Sequence, residues 1–366
     1  MTRSDLRILV VGFEPWDDAM YPHTRAVLEE LRSHFPLQYL HLKERGGFVA
    51  KLAEDAPLRP RVRATLSPVL RSVGATLQAA LRRQRPHVIM AIDAFAYGLV
   101  GTLVRGPRMV LWSHDLVTPD MPLHAAPLQR LIHGTARRVL TAHRSVIVQD
   151  EDRLELVRSA LGVRTPLDAF LLPVCLPGWD GPTTSSPWSP VPRIIQCGGI
   201  REDRFSTDLL NHFNRYPGRY HLHFHGLSSP GFRRELELAP HKPTVSERLV
   251  LPAQLSHILR GHHLGFVGYR VNDLNHRMLA NASGQLVEFL RLGMPVLVMG
   301  NTTVNDLVVR HGVGVVLNSV EGLLPALATL AGDETGFRQR ARDLFRKQFE
   351  LPQRSAALRA WLECPS

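Results

Sequence analysis

The sequence predicts an α/β protein made of two doubly wound parallel-sheet domains that face each other across a cleft. Short apolar runs alternate with helical patterns twice along the chain, which is typical of parallel strands covered by helices. Residues 177–192 separate the two series and are rich in proline, glycine and hydroxyl residues. The length of 366 residues also exceeds what one hydrophobic core usually serves.

The first series predicts six strands and four helices. The strands are short apolar runs at Ile8–Val11, Leu37–Leu42, Val88–Ile92, Met109–Trp112, Ser145–Val148 and Phe170–Leu172. Helical spacing of apolar residues covers Thr24–Ser33, Thr76–Arg83, Leu128–Ala142 and Asp152–Leu161. Sheets of this kind bind ligands at the carboxyl ends of their strands, where this sequence places Asp93 and His114.

The second series repeats the pattern after the break. Its predicted strands are Arg193–Gln196, Tyr220–His225, Leu249–Leu251, Leu264–Val267, Val296–Met299 and Val315–Leu317. Its predicted helices are Thr207–Phe213, Pro252–Leu259, Gln285–Leu292, Val304–Arg310, Leu323–Leu330 and Gly336–Phe349. We therefore expect domains at 1–176 and 193–345, a linker at 177–192, and a last helix within 346–366 that packs back on the first domain.

Composition and charge narrow the class of protein. Apolar residues make up 44% of the chain, and no run is long enough to cross a bilayer. The apolar N-terminal run is soon followed by Glu14, Asp17 and Asp18, unlike a signal peptide, so we expect a cytoplasmic protein. The cysteines lack the spacing of a disulfide framework or a zinc site.

The net charge of +11 favours phosphate-bearing or polyanionic partners. Residues 58–86 are the densest basic stretch and include an amphipathic helix. This helix either covers a sheet with its arginines in water or lies on the anionic inner face of a membrane. No aromatic-basic platform accompanies the charge, so nucleic acid is not an expected partner.

The stretch from Asn281 to Val298 is the strongest candidate for a binding site. A loop of small residues leads into a helix, and Gly293 ends that helix before an apolar strand. Free N–H groups and the positive end of the helix dipole would bind a phosphate at Ser283 and Gly284. Glu288, one turn in, would accept hydrogen bonds from ribose hydroxyls. The alternative interpretation is an ordinary helix-to-strand turn.

Other polar clusters favour structural roles. Asp150-Glu151-Asp152 follows a strand and starts a helix, which indicates an N-cap with acidic first-turn residues rather than a manganese site. His221, His223 and His225 share one face of a strand, but no further ligand spacing supports a metal. A G-x-G-x-x-G pattern is missing after the first strand, so we expect no nicotinamide cofactor.

Several segments of the chain resemble those of a known protein family. The segment Gln285-Leu-Val-Glu-Phe-Leu-Arg-Leu-Gly-Met-Pro-Val-Leu-Val resembles the Lys-Leu-hydrophobic-Glu-Tyr-hydrophobic-Ala-x-Gly-x-Pro-Val segment of GT-B glycosyltransferases. The family in question is the glycosyltransferase family 4, or group 1, superfamily, which includes many bacterial retaining mannosyl- and glucosyltransferases. Ile194-Ile-Gln-Cys-Gly-Gly-Ile-Arg-Glu-Asp-Arg and Leu111-Trp-Ser-His-Asp are similar to its diphosphate-binding loop and to a strand end near the sugar.

The resemblance implies two Rossmann-like domains and transfer of a hexosyl group from a nucleotide sugar, without a cofactor or a metal. The donor, of UDP or GDP type, would bind the second domain, and a small-molecule, lipid-linked or glycan acceptor the first. The implied donor-binding residues are Arg201, Arg204, Ser283, Gly284, Gln285 and Glu288. The candidate catalytic residues at the acceptor side are Asp93 and His114.

Three departures mark a divergent member of the family. Ala280 replaces the second carboxylate of many retaining members, Gln285 replaces the usual lysine, and Gly199 replaces the usual arginine. The stereochemistry therefore stays open. Two alternatives also stay open: a nucleotide-sugar epimerase or hydrolase of the same fold, and a noncatalytic protein that binds acidic polymers or membranes through its basic surface.

Overall fold

The computed structural model describes residues 5–13, 21–42, 74–121, 124, 127–179, 188–247, 250 and 252–364. The chain forms two compact units. Unit 1 comprises Met1–Pro173, Asp273–Asn275 and Pro352–Ser366, and unit 2 comprises Val174–Asn272 and His276–Leu351. Residues 58–73 of the predicted basic stretch, residues 180–187 of the predicted linker, and residues 249 and 251 of the predicted strand at 249–251 lie outside the described residues.

Unit 1 is a six-stranded sheet in the order β2-β1-β3-β4-β5-β6, and all its neighbouring strands are parallel. The strands are β1 (Ile8–Gly12), β2 (Leu37–His41), β3 (Val88–Ile92), β4 (Arg108–Trp112), β5 (Ser145–Val148) and β6 (Asp168–Leu171). The helices are α1 (Pro22–His34), α2 (residues 74–84), α3 (Asp93–Leu103), α4 (Pro127–His143), α5 (Glu151–Leu161) and the last helix, α14 (Leu351–Glu363). Every residue of β1 and β3 is buried, as expected for strands covered by helices on both faces.

Unit 2 is a second six-stranded parallel sheet in the order β12-β11-β10-β7-β8-β9. Its strands are β7 (Arg193–Ile200), β8 (His221–Ser228), β9 (Thr244–Ser246), β10 (Leu264–Gly268), β11 (Val296–Met299) and β12 (Gly314–Leu317). Its helices are α6 (Ser206–Arg215), α7 (Pro230–Leu238), α8 (Pro252–Arg260), α10 (Gly284–Arg291), α11 (Thr302–His311), α12 (Leu323–Gly332) and α13 (Glu334–Leu344). The short helix α9 (Leu274–Arg277) has its first two residues in unit 1 and its last two in unit 2. The predicted fold class, with two parallel-sheet α/β domains, is confirmed.

Four helices and strands within the described residues were not predicted, namely α3, α7, α9 and β9, and the missing signal has a physical reason at α3 and β9. Helix α3 is apolar on most sides and contains Gly98 and Gly101, which lower helix propensity. These glycines allow α3 to pack closely on α4, because a Cβ atom at Gly101 would clash with the side chain of Val139. Strand β9 has three residues at the sheet edge, too few to show a periodic pattern.

The last helix, α14, is tied to unit 1 by Arg108. The Arg108 guanidinium donates hydrogen bonds to the backbone oxygens of Trp361 (3.0 Å) and Cys364 (2.9 Å), near the end of α14. It also pairs with Asp168 at 2.9 Å, and the same carboxylate accepts a 2.8 Å hydrogen bond from the Trp361 indole. The helix end is therefore fixed to the first residue of β4 and the first residue of β6.

Within the described ranges, no helix is both long enough and apolar enough to cross a membrane.

Candidate functional site

The start of α10 offers backbone N–H groups at the carboxyl edge of the unit 2 sheet. Ser283 is the N-cap, and its Oγ accepts a 3.2 Å hydrogen bond from the backbone N–H of Leu286. The N–H groups of Gly284 and Gln285 have no acceptor among the described residues. First-turn N–H groups of a helix are free by geometry and carry the positive end of its dipole, so they attract an anion.

The loop before α10 is held from the start of α11. The Thr303 Oγ1 accepts hydrogen bonds from the N–H groups of Leu279 and Ala280, both at 3.2 Å, and donates one to the Arg277 oxygen at 2.9 Å. The side-chain amide of Asn301 donates to the backbone oxygen of His276. The small-residue loop is thus fixed by specific bonds, so the first turn of α10 keeps a defined position.

Glu288 is buried on α10 with one carboxylate oxygen satisfied and one not. Its Oε2 accepts hydrogen bonds from Arg291 Nε (3.1 Å) and Nη2 (2.6 Å), and Arg291 also bonds to the Ser256 hydroxyl. Its Oε1 is buried and has no hydrogen-bond partner among the described residues. Burial raises the pKa of Glu288, and the charge of Arg291 opposes that rise. A buried oxygen without a donor is costly, and a ligand hydroxyl would satisfy it.

Gln285 connects α10 to the end of β7. Its side-chain amide donates a hydrogen bond to the backbone oxygen of Cys197. Burial raises the pKa of the Cys197 thiol to about 12, and the nearby charge of Glu288 adds to that rise. Both Gln285 and Glu288 therefore lie close to Cys197 of β7.

The two predicted arginines after β7 differ in how their charges are used. Arg201 pairs with Asp203 at 2.8 Å, and its side chain is half exposed. The guanidinium of Arg204 instead lies over the ring of Tyr269, with Cζ 4.0 Å from the ring centroid. No carboxylate among the described residues pairs with Arg204. Arg204 is therefore the one of the two whose charge is available to a ligand.

In unit 1, Asp93 occupies an unusual backbone conformation at the junction of β3 and α3. Its φ is +65°, a left-handed value that aspartate tolerates better than most residues. Its Oδ1 accepts hydrogen bonds from the backbone N–H groups of His114 (2.8 Å) and Asp115 (3.1 Å). Strained residues of this kind often lie at functional sites.

The His114 imidazole lies among groups from the start of α1 and the end of β4. Its Nδ1 is 3.4 Å from Nε2 of His23, its Nε2 is 3.4 Å from the Thr24 hydroxyl, and its ring centroid is 4.8 Å from that of Trp112. Burial lowers the pKa of His114 to about 3, with a further contribution from the charge of Arg153. Burial likewise lowers the pKa of His23 to about 3. Both rings are neutral at physiological pH, and each is a weak base.

A buried arginine supports this edge of unit 1. Arg153 donates a 3.2 Å hydrogen bond to the backbone oxygen of His114 and another to the side-chain oxygen of Asn275. The Asn275 amide in turn donates to Asp115 at 3.2 Å. Asp115 is an exposed loop residue.

The structure places Asp93 and His114 together in unit 1, and the six donor-side candidates at one edge of unit 2. Sequence reasoning did not identify His23, Arg153 or Tyr269. Tyr269 had a usable signal, because it directly follows the carboxyl end of β10. His23 and Arg153 had no such signal in the sequence. Each lies in the first turn of a helix and gains its role only through tertiary contacts.

Polar side chains at the start of α5 and on β8 form hydrogen bonds within their own units. The Asp150 carboxylate caps α5 by accepting a 2.9 Å hydrogen bond from the Arg153 N–H, as predicted. His223 and His225 bond to the hydroxyl of Ser246 at 2.6 and 2.8 Å, and His223 also contacts His262 at 3.0 Å. In the described part of the chain, no group of three His, Cys, Asp or Glu side chains is arranged to hold a metal ion.

Comparison with known proteins establishes the fold. No protein-family model matches the sequence, and no curated protein is significantly similar to it. Among solved structures, the trehalose-6-phosphate synthase OtsA is similar with a TM-score of 0.68 and 12% identity, over 98% of this chain and 99% of that chain. Sucrose-phosphate synthase from Thermosynechococcus elongatus is similar with a TM-score of 0.64 and 12% identity, over 97% and 98% of the two chains.

The HepE protein of Anabaena, in a complex with UDP, is similar with a TM-score of 0.64 and 13% identity, over 98% of this chain and 99% of that chain. All three likenesses span both units of the chain, although the identities are low. The chain therefore has the two-domain GT-B fold, as the resemblance implied.

Proposed function

We propose that this chain is a glycosyltransferase that moves a hexosyl group from a UDP- or GDP-sugar to an acceptor hydroxyl without a metal ion. The observation that carries the proposal is the buried Oε1 of Glu288, which has no hydrogen-bond partner among the described residues and lies one turn into a helix whose first N–H groups also have none there. A nucleotide could make both kinds of hydrogen bond. Its ribose hydroxyl would donate to the carboxylate, and its phosphate oxygens would accept from the N–H groups. The fold supports this assignment, because HepE of the same fold was solved with UDP.

In the proposed reaction, the bond between the sugar and the diphosphate breaks, and the diphosphate leaves with added negative charge. Stabilising that charge is the main task of the donor site. Arg204 and the N–H groups of Gly284 and Gln285 are suited to it, because none is neutralised by a carboxylate among the described residues. A guanidinium binds phosphate oxygens in a planar, bidentate way.

At the acceptor side, we propose that Asp93 and His114 bind and orient the acceptor hydroxyl. Burial keeps the His114 ring neutral by lowering its pKa, so the ring suits positioning of the acceptor better than strong base catalysis. An inverting reaction would need Asp93 as the base, whereas a retaining one needs mainly positioning. The anomeric configuration of the product, read by NMR, distinguishes the two.

A thermal-shift screen with nucleoside diphosphates and their sugars tests the proposal. A ligand that binds only the folded state raises the melting temperature by mass action, so one diphosphate series should raise it and the others should not. The same donor should then yield free nucleoside diphosphate only when an acceptor is present. Turnover without an acceptor would instead indicate a hydrolase or an epimerase, and no shift with any nucleotide would contradict the proposal.

Two arginine variants test the leaving-group assignment. Arg204→Gln should weaken binding of the diphosphate by about tenfold or more, because a hydrogen bond to a charged group contributes roughly 1.5–3 kcal/mol. Arg215→Gln is the matched control, since Arg215 is an exposed arginine of unit 2 that pairs with Glu321 at 2.5 Å. Equal affinities in the two variants would remove Arg204 from the donor site.

A further inference from the structure

Arg204 is held by an aromatic face, whereas its arginine neighbours are held by carboxylates. Arg270, the residue after Tyr269, also lies over a ring, that of Phe205 at 4.3 Å, but it pairs with Asp208 at 2.8 Å as well. Among the described residues, the Arg204 guanidinium has the ring contact and no carboxylate partner. An aromatic face attracts a guanidinium without neutralising its charge, and the N–H groups on its edge stay available to an anion.

The ring that holds Arg204 is itself firmly positioned. Tyr269 is 5% exposed, and its backbone N–H donates a 3.1 Å hydrogen bond to the oxygen of Met299, the last residue of β11. At the other end of the side chain, the Tyr269 hydroxyl is 2.7 Å from the Ser283 Oγ. Ser283 is the cap of α10, so one side chain contacts both Arg204 and the start of the helix.

We propose that Tyr269 is a positioning residue for the donor diphosphate. Its ring face holds the Arg204 guanidinium in place, and its hydroxyl ties that ring to the N-cap of α10. The two positive groups, guanidinium and helix start, are thereby set at a fixed separation before the ligand arrives. A group fixed in advance loses less conformational entropy on binding, and the affinity rises accordingly. This inference rests on the proposed donor site in unit 2.

Titration calorimetry with three kinds of probe tests the role. The probes are inorganic pyrophosphate, UDP and GDP, and the matching nucleosides uridine and guanosine. Tyr269→Leu removes the aromatic face and should weaken pyrophosphate and nucleoside diphosphate binding by about tenfold, between the values for an exposed and a desolvated cation–π contact. It should leave nucleoside binding unchanged. Tyr269→Phe keeps the face and should weaken pyrophosphate binding by less than about threefold.

Phe337→Leu is the matched control, because it removes the ring under a different guanidinium, that of Arg340 at 4.6 Å, elsewhere in unit 2. Its affinities should equal those of the wild-type chain. A loss of nucleoside and diphosphate binding in equal measure in Tyr269→Leu would show a merely structural role and overturn the inference. Unchanged pyrophosphate binding in Tyr269→Leu would also overturn the inference. Equal losses of affinity in the leucine and phenylalanine variants would overturn it as well, and so would a wild-type chain that binds no pyrophosphate.

The failure of the proposed function is distinguishable from these results. A wild-type chain that binds pyrophosphate but neither UDP nor GDP would contradict the nucleotide-sugar proposal. The pyrophosphate titrations of the two Tyr269 variants would still decide whether the ring positions Arg204.

Discussion

Glu288 and Arg291 form a buried ion pair on one turn of α10, with 2.6 Å between the Glu288 Oε2 and the Arg291 Nη2. The pair satisfies the arginine, which also bonds to Ser256, but only one oxygen of the carboxylate. Removing one partner of a buried pair is usually strongly destabilising, because it leaves the other charge uncompensated. The position of Glu288 therefore serves two needs, the stability of unit 2 and the proposed ribose contact.

Replacing Glu288 by glutamine should affect both nucleotide affinity and stability, and the two effects can be measured separately. The Glu288→Gln side chain has the same size, but its bond to a ribose hydroxyl lacks the charge, so nucleotide affinity should fall by about tenfold or more. The melting temperature should also fall, because Arg291 loses its counter-charge. Calorimetric titration and thermal unfolding measure the two effects.

The matched control for Glu288→Gln is Glu334→Gln. Glu334 pairs with the buried side chain of Arg338 at 2.8 Å, one turn along α13. Its loss should lower the melting temperature and leave nucleotide affinity unchanged. Wild-type affinity in Glu288→Gln would contradict the ribose assignment, whatever its stability.

Substitutions at Asp93 should show how much its backbone strain, its hydrogen bonds and its charge each contribute to stability and to the transfer rate. Asp93→Asn keeps an oxygen that accepts the N–H groups of His114 and Asp115, and asparagine tolerates the left-handed φ, so stability should change by less than about 1 kcal/mol. Asp93→Ala loses both bonds and keeps the strain, and should lower the free energy of unfolding by about 2–4 kcal/mol. Denaturant titration measures both values.

The transfer rate of Asp93→Asn then reports on chemistry. If the carboxylate acts as a base, the rate should fall by a factor of about 100 or more in a chain of nearly wild-type stability. An unchanged rate would leave Asp93 with a positioning role only.

Acid should destabilise the chain through four histidines that folding partly removes from water. Burial lowers the pKa of His23 and His114 from 6.5 to about 3, and that of His223 and His262 to about 4. Below pH 6.5 the unfolded chain binds protons that the folded chain does not. The stabilising contribution is therefore complete above pH 6.5 and is lost as the pH falls toward 4 and below.

Urea titrations between about pH 7.5 and 4.5 would measure this loss, since each such histidine contributes a slope of about 1.4 kcal/mol per pH unit. The variant His223→Gln removes one of these groups and should flatten the slope by up to that amount. A slope identical to that of the wild-type chain would show that His223 does not titrate in this way.

The contact of Arg108 with α14 predicts a local change. In Arg108→Met, the backbone oxygens at the end of α14 lose their donor, so residues 351–363 should become sensitive to limited proteolysis before the rest of unit 1. Arg158→Met is the control, because Arg158 forms an exposed pair with Glu155 at 3.2 Å. Cleavage of both variants at the same rate would contradict the role of Arg108.

Whether a feature of the site can be predicted from the sequence depends on how far apart the interacting residues lie along the chain. The cap at Asp150 and the turn at Gly293, whose φ is +64°, were predictable because neighbouring residues decide them. The fold class followed from apolar periodicity for the same reason. The choice of Arg204 over Arg201 was not predictable, since it depends on a ring 65 residues away along the chain.

The same limit applies in unit 1. The contact between Arg153 and Asn275 joins residues 122 positions apart, and no local pattern announces it. The low pKa of His114 likewise results from burial among α1 and β4 residues that are distant in sequence. Roles that depend on such contacts become visible only once the sheet order is known.

The attachment of α14 to unit 1 has a consequence for synthesis of the chain. Arg108 and Asp168 emerge from the ribosome long before Trp361, and in the interval the first residues of β4 and β6 have no helix to bind. Unit 1 then stays incomplete while all of unit 2 is translated. Its folding ends only when α14 has been made, so the first domain to begin is the last to finish.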